Sequence, residues 1–216
     1  MIGRLAIVGI LMVAHSAAFA EGQAVGVKAG ALGLGVEYTY ALNDRVSFRA
    51  GLNGSELGFD REESGIEYDF DLVWDSLSLT VDFHPLTTAL RVSGGLLSND
   101  NRLEGVSRPT GNITIGNMTY TPAQVGTLAS LVSFDATAPF AGVGWDWSRD
   151  EGFFGMSFDI GVVSQGAPQV TLTGNGTVAG DPSFQADIQA EAVELADSLD
   201  DFDLVPYLTL GFVFRF

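Results

Sequence analysis

From residue 23 to the C-terminus the chain repeatedly alternates apolar and polar residues, and this period of two limits its fold more than any other feature. Leu34, Val36, Tyr38, Tyr40 and Leu42 alternate with Gly33, Gly35, Glu37, Thr39 and Ala41. Val46, Phe48, Ala50 and Leu52 alternate with Arg45, Ser47, Arg49 and Gly51, and the pattern returns at Met156–Val162 and Leu208–Phe216. Successive side chains of a strand point to opposite faces, so each stretch presents one apolar and one polar face. Eight strands are expected, over 23–30, 33–42, 45–58, 66–84, 89–98, 138–148, 153–163 and 203–216. Within the fourth, the apolar phase moves from Ile66, Tyr68, Phe70, Leu72 and Trp74 to Leu77, Leu79, Val81 and Phe83. A β-bulge near Asp75-Ser76 would produce that shift.

The connections choose between a soluble sheet and a membrane barrel. Those after the second, fourth and sixth strands are short (43–44, 85–88 and 149–152). Those after the third, fifth and seventh are longer (59–64, 99–136 and 164–201). The very short first connection, near 30–32, departs from the scheme. Short turns at one end and long loops at the other is the plan of an outer-membrane barrel, and most of the strands are long enough to cross a bilayer at a tilt. Unstructured loops approaching forty residues would be anomalous in a compact soluble domain. The expectation is an all-β fold, an eight-stranded antiparallel transmembrane β-barrel with a short helix in the last extracellular loop.

Composition agrees and excludes other classes. Mean hydropathy is positive, +0.24, although the formal net charge is −17. A disordered chain would be poorer in apolar residues. Nucleic-acid binding needs a basic surface, and Lys28 is the one lysine of the sequence. With no cysteine, disulfide, thiol and cysteine-zinc chemistry are ruled out.

Residues 1–20 read as a secretory signal peptide. Arg4 precedes the apolar run Leu5–Ala14, and Ala18-Phe19-Ala20 forms an A-x-A cleavage pattern. The apolar run is about half the roughly 20 residues that a membrane helix needs. The mature barrel is expected over 21–216, in the outer membrane of a Gram-negative bacterium after export through the inner membrane.

Aromatic residues cluster near the short-turn ends: Tyr38, Tyr40, Phe83, Trp145, Trp147 and Phe154, with Phe48, Phe212, Phe214 and Phe216. This predicts an interfacial girdle at one level. Tyr68, Phe70 and Trp74 suggest a second girdle at the other end. The opposite strand faces carry Lys28, Glu37, Arg49, Asp82, Arg91, Asp146, Asp159 and Arg215. An eight-stranded barrel is just wide enough for side chains to fill it, and buried charges must pair. These four basic and four acidic residues are expected to form a balanced lumen network closing the barrel.

The C-terminal residues Leu208, Leu210, Phe212, Phe214 and Phe216, apolar at alternate positions and ending in Phe, resemble the C-terminal strand signal of bacterial outer-membrane proteins. With the leader and the eight-strand plan, the mature chain resembles the small outer-membrane barrel superfamily of the OmpA transmembrane domain and OmpW type, and a proteobacterial group within it. The resemblance implies recognition by the barrel-assembly machinery, and surroundings of outer-membrane lipid and lipopolysaccharide. No peptidoglycan-binding domain is expected after Phe216, so the OmpA-type anchoring role is not implied.

Candidate chemistry is sparse. His84 is the single histidine after the leader, beside Pro85 at a short turn, and reads as a solvated turn residue; no G-x-S-x-G elbow occurs. The chain is therefore read as no enzyme, with no cofactor and no metal. Acids crowd the connection 59–64 with its flanking strand ends and the last connection, 164–201, where cation binding competes with a merely solvated surface. Residues 181–200 are expected to be helical, with Asp181 as cap and Phe184, Ile188, Ala192, Leu195 and Leu199 on one face. Residues 99–136 read as a loop with a small hairpin around 112–120. The leading expectation is a monomeric structural or interaction barrel with acidic extracellular loops and a closed charged lumen. A narrow channel or carrier for small apolar molecules, as the OmpW likeness implies, stands second, and an outer-leaflet lipid-modifying enzyme third.

Overall fold

A computed structural model describes residues 22–63, 66–86, 88–148 and 153–216. The leader lies outside them, as does the turn 149–152. The first half of the chain holds β1 (Gln23–Gly30), β2 (Gly33–Ala41), β3 (Val46–Glu63), β4 (Ile66–Phe83), β5 (Leu90–Asn99) and β6 (Arg102–Pro109). A hairpin of β7 (Ile113–Ile115) and β8 (Met118–Tyr120) and the single turn α1 (Pro122–Val125) follow. The second half holds β9 (Leu128–Ser133), β10 (Thr137–Asp146), β11 (Phe154–Ser164) and β12 (Gln169–Gly174). It ends with helix α2 (Pro182–Ser198), a 3-10 turn (Asp200–Asp203) and β13 (Leu204–Arg215).

Eight of these strands close a barrel. The antiparallel order is β1-β2-β3-β4-β5-β10-β11-β13, and β13 pairs back to β1, Val27 opposite Phe212. Closure leaves no barrel edge unpaired, which a lipid-exposed sheet requires. The eight strands correspond to the eight alternating stretches of the sequence, within a residue or two at most ends. Asn43 makes one short turn by accepting, through Oδ1, the backbone N–H groups of Arg45 and Val46 at 2.9 and 3.0 Å.

The barrel is apolar outside and polar inside. Leu34, Leu52, Leu79, Ile160 and Leu210 are exposed on the outer surface, while Arg49, Asp82, Arg91, Asp146 and Asp159 are buried. A soluble barrel would have the reverse arrangement. Tyr38, Tyr40, Phe83, Trp147 and Phe154 are exposed at the short-turn end, and Trp145 stacks at a tilt on Phe158.

The expected bulge in β4 is absent. β3 and β4 pair in one unbroken register from Val46–Phe83 to Glu63–Ile66. The phase of the apolar residues changes because their surroundings do. Near the short turns, Leu77, Leu79, Val81 and Phe83 face outward and are exposed. Beyond Ser76 the strand leaves the barrel, and Trp74, Leu72, Phe70 and Tyr68 continue the inner face. The suggested second girdle of Tyr68, Phe70 and Trp74 is thereby corrected. Phe70 stacks on Phe59 at 5.3 Å and on Tyr68 at 5.8 Å, on the side away from lipid.

The long connections are more ordered than the sequence implied. The outer half of β4 pairs with β6, β6 with β9, and β9 with β12, so β3 and β4 continue into a five-stranded sheet above the barrel. The expected connection over 59–64 falls mostly within β3, which runs to Glu63. The helix is not short: α2 runs 17 residues, with Asp181 accepting from the Ser183 N–H at 2.8 Å and Pro182 in its first turn. It packs on β12, where Phe184, Ile188, Ile115, Tyr120 and Val125 form a separate core. This cap covers Phe184, Ile188 and Ala192 of the expected apolar stripe, whereas Leu195 stays 36% exposed.

Candidate functional site

The structure brings all eight lumen charges into one ionic belt, and each barrel strand supplies one of them. Lys28 (β1) donates to Glu37 (β2) at 2.9 Å. Arg49 (β3) donates to Glu37 at 3.1 Å, to Asp82 (β4) at 2.9 Å and to Asp159 (β11) at 3.3 Å. Its Nε lies 2.6 Å from Asp82 Oδ2, close enough for ionic attraction but without hydrogen-bond alignment. Arg91 (β5) forks onto both oxygens of Asp159 at 2.8 to 3.1 Å and stands 3.6 Å from Asp146 (β10). Arg215 (β13) closes the belt by donating to Asp146 at 2.9 Å.

This belt exists because the inward positions alternate in size as well as polarity. Several of the long charged side chains lie beside an inward glycine. A Cβ on Gly144 would come within 2.2 Å of Asp159 Oδ1 and 3.0 Å of Arg91 Nε. On Gly35 it would meet Lys28 Cε at 3.2 Å, and on Gly51 Lys28 Nζ at 3.3 Å. Eight-stranded barrels hold little more than their own side chains, so glycine makes the space for guanidinium and ammonium groups. These glycines went unread in the sequence, although their place on the polar face of the alternation marks them.

Small hydroxyls complete the belt. Ser93 donates to Asp82 at 2.6 Å, Thr209 to Asp159 at 3.4 Å, and Ser148 to Asp146 at 2.5 Å. A buried ion pair is costly unless its remaining lone pairs and protons are also satisfied; these hydroxyls meet part of that demand, while the Nε groups of Arg49 and Arg215 make no hydrogen bond.

His84 is not the solvated turn residue the sequence suggested. It is 1% exposed, at the short-turn end of the lumen. Its Nδ1 is 3.2 Å from the Leu90 carbonyl and its Nε2 is 3.3 Å from the Ser47 hydroxyl. The parity that points Ser76, Ser78, Thr80 and Asp82 inward also carries His84 inside. Ser47 and Asp82 are equally buried, so this serine–histidine pair is shut off from any substrate in water.

Toward the cap the lumen changes character. Leu32, Leu97, Ala138, Phe140, Val163 and Tyr207 form one buried apolar cluster. Phe140 and Tyr207 pack with ring centroids 5.7 Å apart. Leu32 comes from the very short first connection, which folds inward onto this cluster. This apolar plug lies on the cap side of the ionic belt.

In the cap, two helix carboxylates hold the hairpin. Tyr120 donates to Asp187 at 2.5 Å, and the Gly116 N–H donates to Glu191 at 3.0 Å. The hydrogen bond to Asp187, with burial adding to it, pushes the Tyr120 phenol up to about 12. On the outer face of the cap sheet, Asp69 pairs with Arg108 and Glu104 with Arg102. Asp60 stands opposite Asp69, and Glu62 opposite Glu67. Among the described residues, no group of three or more His, Asp or Glu side chains is arranged to hold a metal ion.

The C-terminal residues Leu208, Leu210, Phe212 and Phe214 face outward along β13, between β1 and β11. The Phe216 N–H donates to the Gln23 carbonyl at 3.0 Å, tying the chain end to the start of β1.

No protein-family model matches the sequence, and no curated protein matches it. Solved structures do. The crystal structure of CarO2 from Acinetobacter baumannii superposes with a TM-score of 0.61 at 18% identity, covering 91% of this chain and 99% of that one. CarO from the same organism gives a TM-score of 0.58 at 20% identity, covering 89% and 97%. At such identities the likeness is one of fold, and the chain has the architecture of a small bacterial outer-membrane β-barrel protein.

Proposed function

We propose that the chain is a non-conducting, non-catalytic outer-membrane barrel that presents a folded acidic cap at the cell surface for structural or adhesive interactions. What supports this reading is the filling of the lumen at two levels. The ionic belt draws one group from each strand, and the apolar plug lies above it. A transport path would need unpaired charge with water between, or an apolar cavity beneath the helix. The space beneath α2 is instead filled by Phe184, Ile188, Tyr120 and Val125.

In this reading the short turns face the periplasm and the cap faces outward. Residues 1–20 serve as the export leader, and Leu208, Leu210, Phe212, Phe214 and Phe216 serve as the signal to the barrel-assembly machinery. Tyr38, Tyr40, Phe83, Trp145, Trp147 and Phe154 anchor the barrel at the periplasmic interface, while lipopolysaccharide surrounds the outer half. The excess of acids on the cap sets which partners approach, favouring basic surfaces.

Proteoliposome swelling tests the closure. Vesicles containing the folded barrel should swell in isosmotic arabinose, arginine or small alcohols no faster than empty vesicles. Solute-dependent swelling above that baseline would overturn the proposal and favour a channel or carrier.

A further inference from the structure

The lipid-facing band does not end at the same level all round the barrel. On β5, β10 and β11 it stops at the polar residues Ser98, Thr137 and Ser164. On β13 it goes on. Leu204, paired with Ser164, is 55% exposed, and Phe202 in the adjoining 3-10 turn is 56% exposed. Leu195, in the last turns of α2, is 36% exposed. The turn is held in place: Gln165 donates through Nε2 to the Phe202 carbonyl at 3.0 Å and through its backbone to Asp203 at 2.8 Å. The Phe202 N–H donates to the Leu199 carbonyl at 2.9 Å, linking the turn to the helix.

Depth places this surface at a membrane boundary. Between Phe214 in the periplasmic girdle and Leu204 lie ten residue steps of β13. At about 3.3 Å each and a tilt near 40°, they cover roughly 25 Å, the height of an outer-membrane apolar band. Among the described residues, the outer half of that band carries no outward-facing aromatic residue on any barrel strand, so the far interface lacks the girdle that Tyr38, Tyr40, Trp147 and Phe154 form at the near one. Phe202 stands at the missing level.

We propose that Phe202, Leu204 and Leu195 dock into the acyl region of the outer leaflet, so that the foot of α2 is seated on the membrane and the cap leans on lipid at that side. The occupant is lipid because this surface is continuous with the band that already faces lipid. The flanking acids Asp201 and Asp203 are exposed and stay in the aqueous layer. The proposal rests on the membrane placement given above.

The chain has no cysteine, so single cysteines can be labelled without background. Full-length Phe202→Cys, Leu210→Cys and Met118→Cys, each carrying a polarity-sensitive fluorophore, are placed in phosphatidylcholine nanodiscs containing lipids with a shallow nitroxide. Folding of each is checked by heat-modifiable migration, and Leu195→Cys repeats the test should the label at 202 disturb the turn. The expected result is a blue-shifted emission at 202 with quenching close to that at 210 and several-fold above that at 118. Quenching at 202 no greater than at 118, with 210 quenched, would overturn the docking alone. Absence of quenching at 210 as well would overturn the membrane placement and the docking with it.

Discussion

At the scale of single residues, the lumen is a problem of charge and room. Arg49 meets three carboxylates, Glu37, Asp82 and Asp159. Replacing it with Met leaves all three with less compensation in a buried site, at an expected cost of roughly 3–5 kcal/mol. Urea unfolding of the refolded barrel in lipid would measure this. Space is equally restrictive. Gly144→Ala drives a methyl group against Asp159 Oδ1 and the Phe158 carbonyl, at 2.2 and 2.9 Å before relaxation. The expected cost is about 1–3 kcal/mol, whereas Gly111→Ala, with nothing near its Cβ, should leave unfolding unchanged. The charges were legible in the sequence because each sits on the polar side of a clear alternation. Their pairing was not, because Arg49 and Asp159 are far apart in the chain and meet only when the barrel closes. His84 was misread for a related reason. Its neighbour Pro85 pointed to a turn, but the inward parity of β4 decides where the ring goes.

At the scale of elements, β4 shows how one strand can serve two environments. Its geometry is continuous, and only the solvent of each face changes along it. Sequence periodicity records which residues seek an apolar neighbour, not which neighbour that is, so the phase change in β4 fitted a bulge equally well. β6, β9 and β12 were missed because short runs such as Leu128–Ser133 and Gln169–Gly174 alternate over too few residues to stand out from a loop. The helix was legible from its cap and apolar stripe. Phe184 anchors it beneath Tyr120 in an edge-on contact at 5.0 Å. Phe184→Ala should cost roughly 3–5 kcal/mol of local packing. Hydrogen exchange should rise in α2 and β12, with heat-modifiable migration of the barrel unaltered.

The hairpin clamp adds a pH dependence to the cap. The Tyr120 phenol is held up near 12 by its hydrogen bond to Asp187. Its neutral form is the one stabilised, so the contribution of this contact is complete below the ordinary tyrosine value of about 10 and is lost as pH rises through 12. Absorbance at alkaline pH should show one phenol ionising near pH 12, together with loosening of the cap, and Tyr120→Phe should remove that step.

At the scale of the whole molecule, apolar composition and strong negative charge occupy different places. The outer barrel surface carries the apolar residues, the lumen charges balance four against four, and the acidic excess lies mainly on the cap sheet and α2. This separation follows from the bilayer acting as solvent for one region and water for the other. The eight-strand plan could be read from the sequence because a membrane imposes both strand length and alternation. The cap could not, since no comparable constraint acts on it. Single-channel recording in planar bilayers tests the central claim, that belt and plug together close the barrel. The folded protein should give no discrete current steps at high salt and moderate voltage. Reproducible steps from the wild-type protein would show a continuous water path and contradict the account.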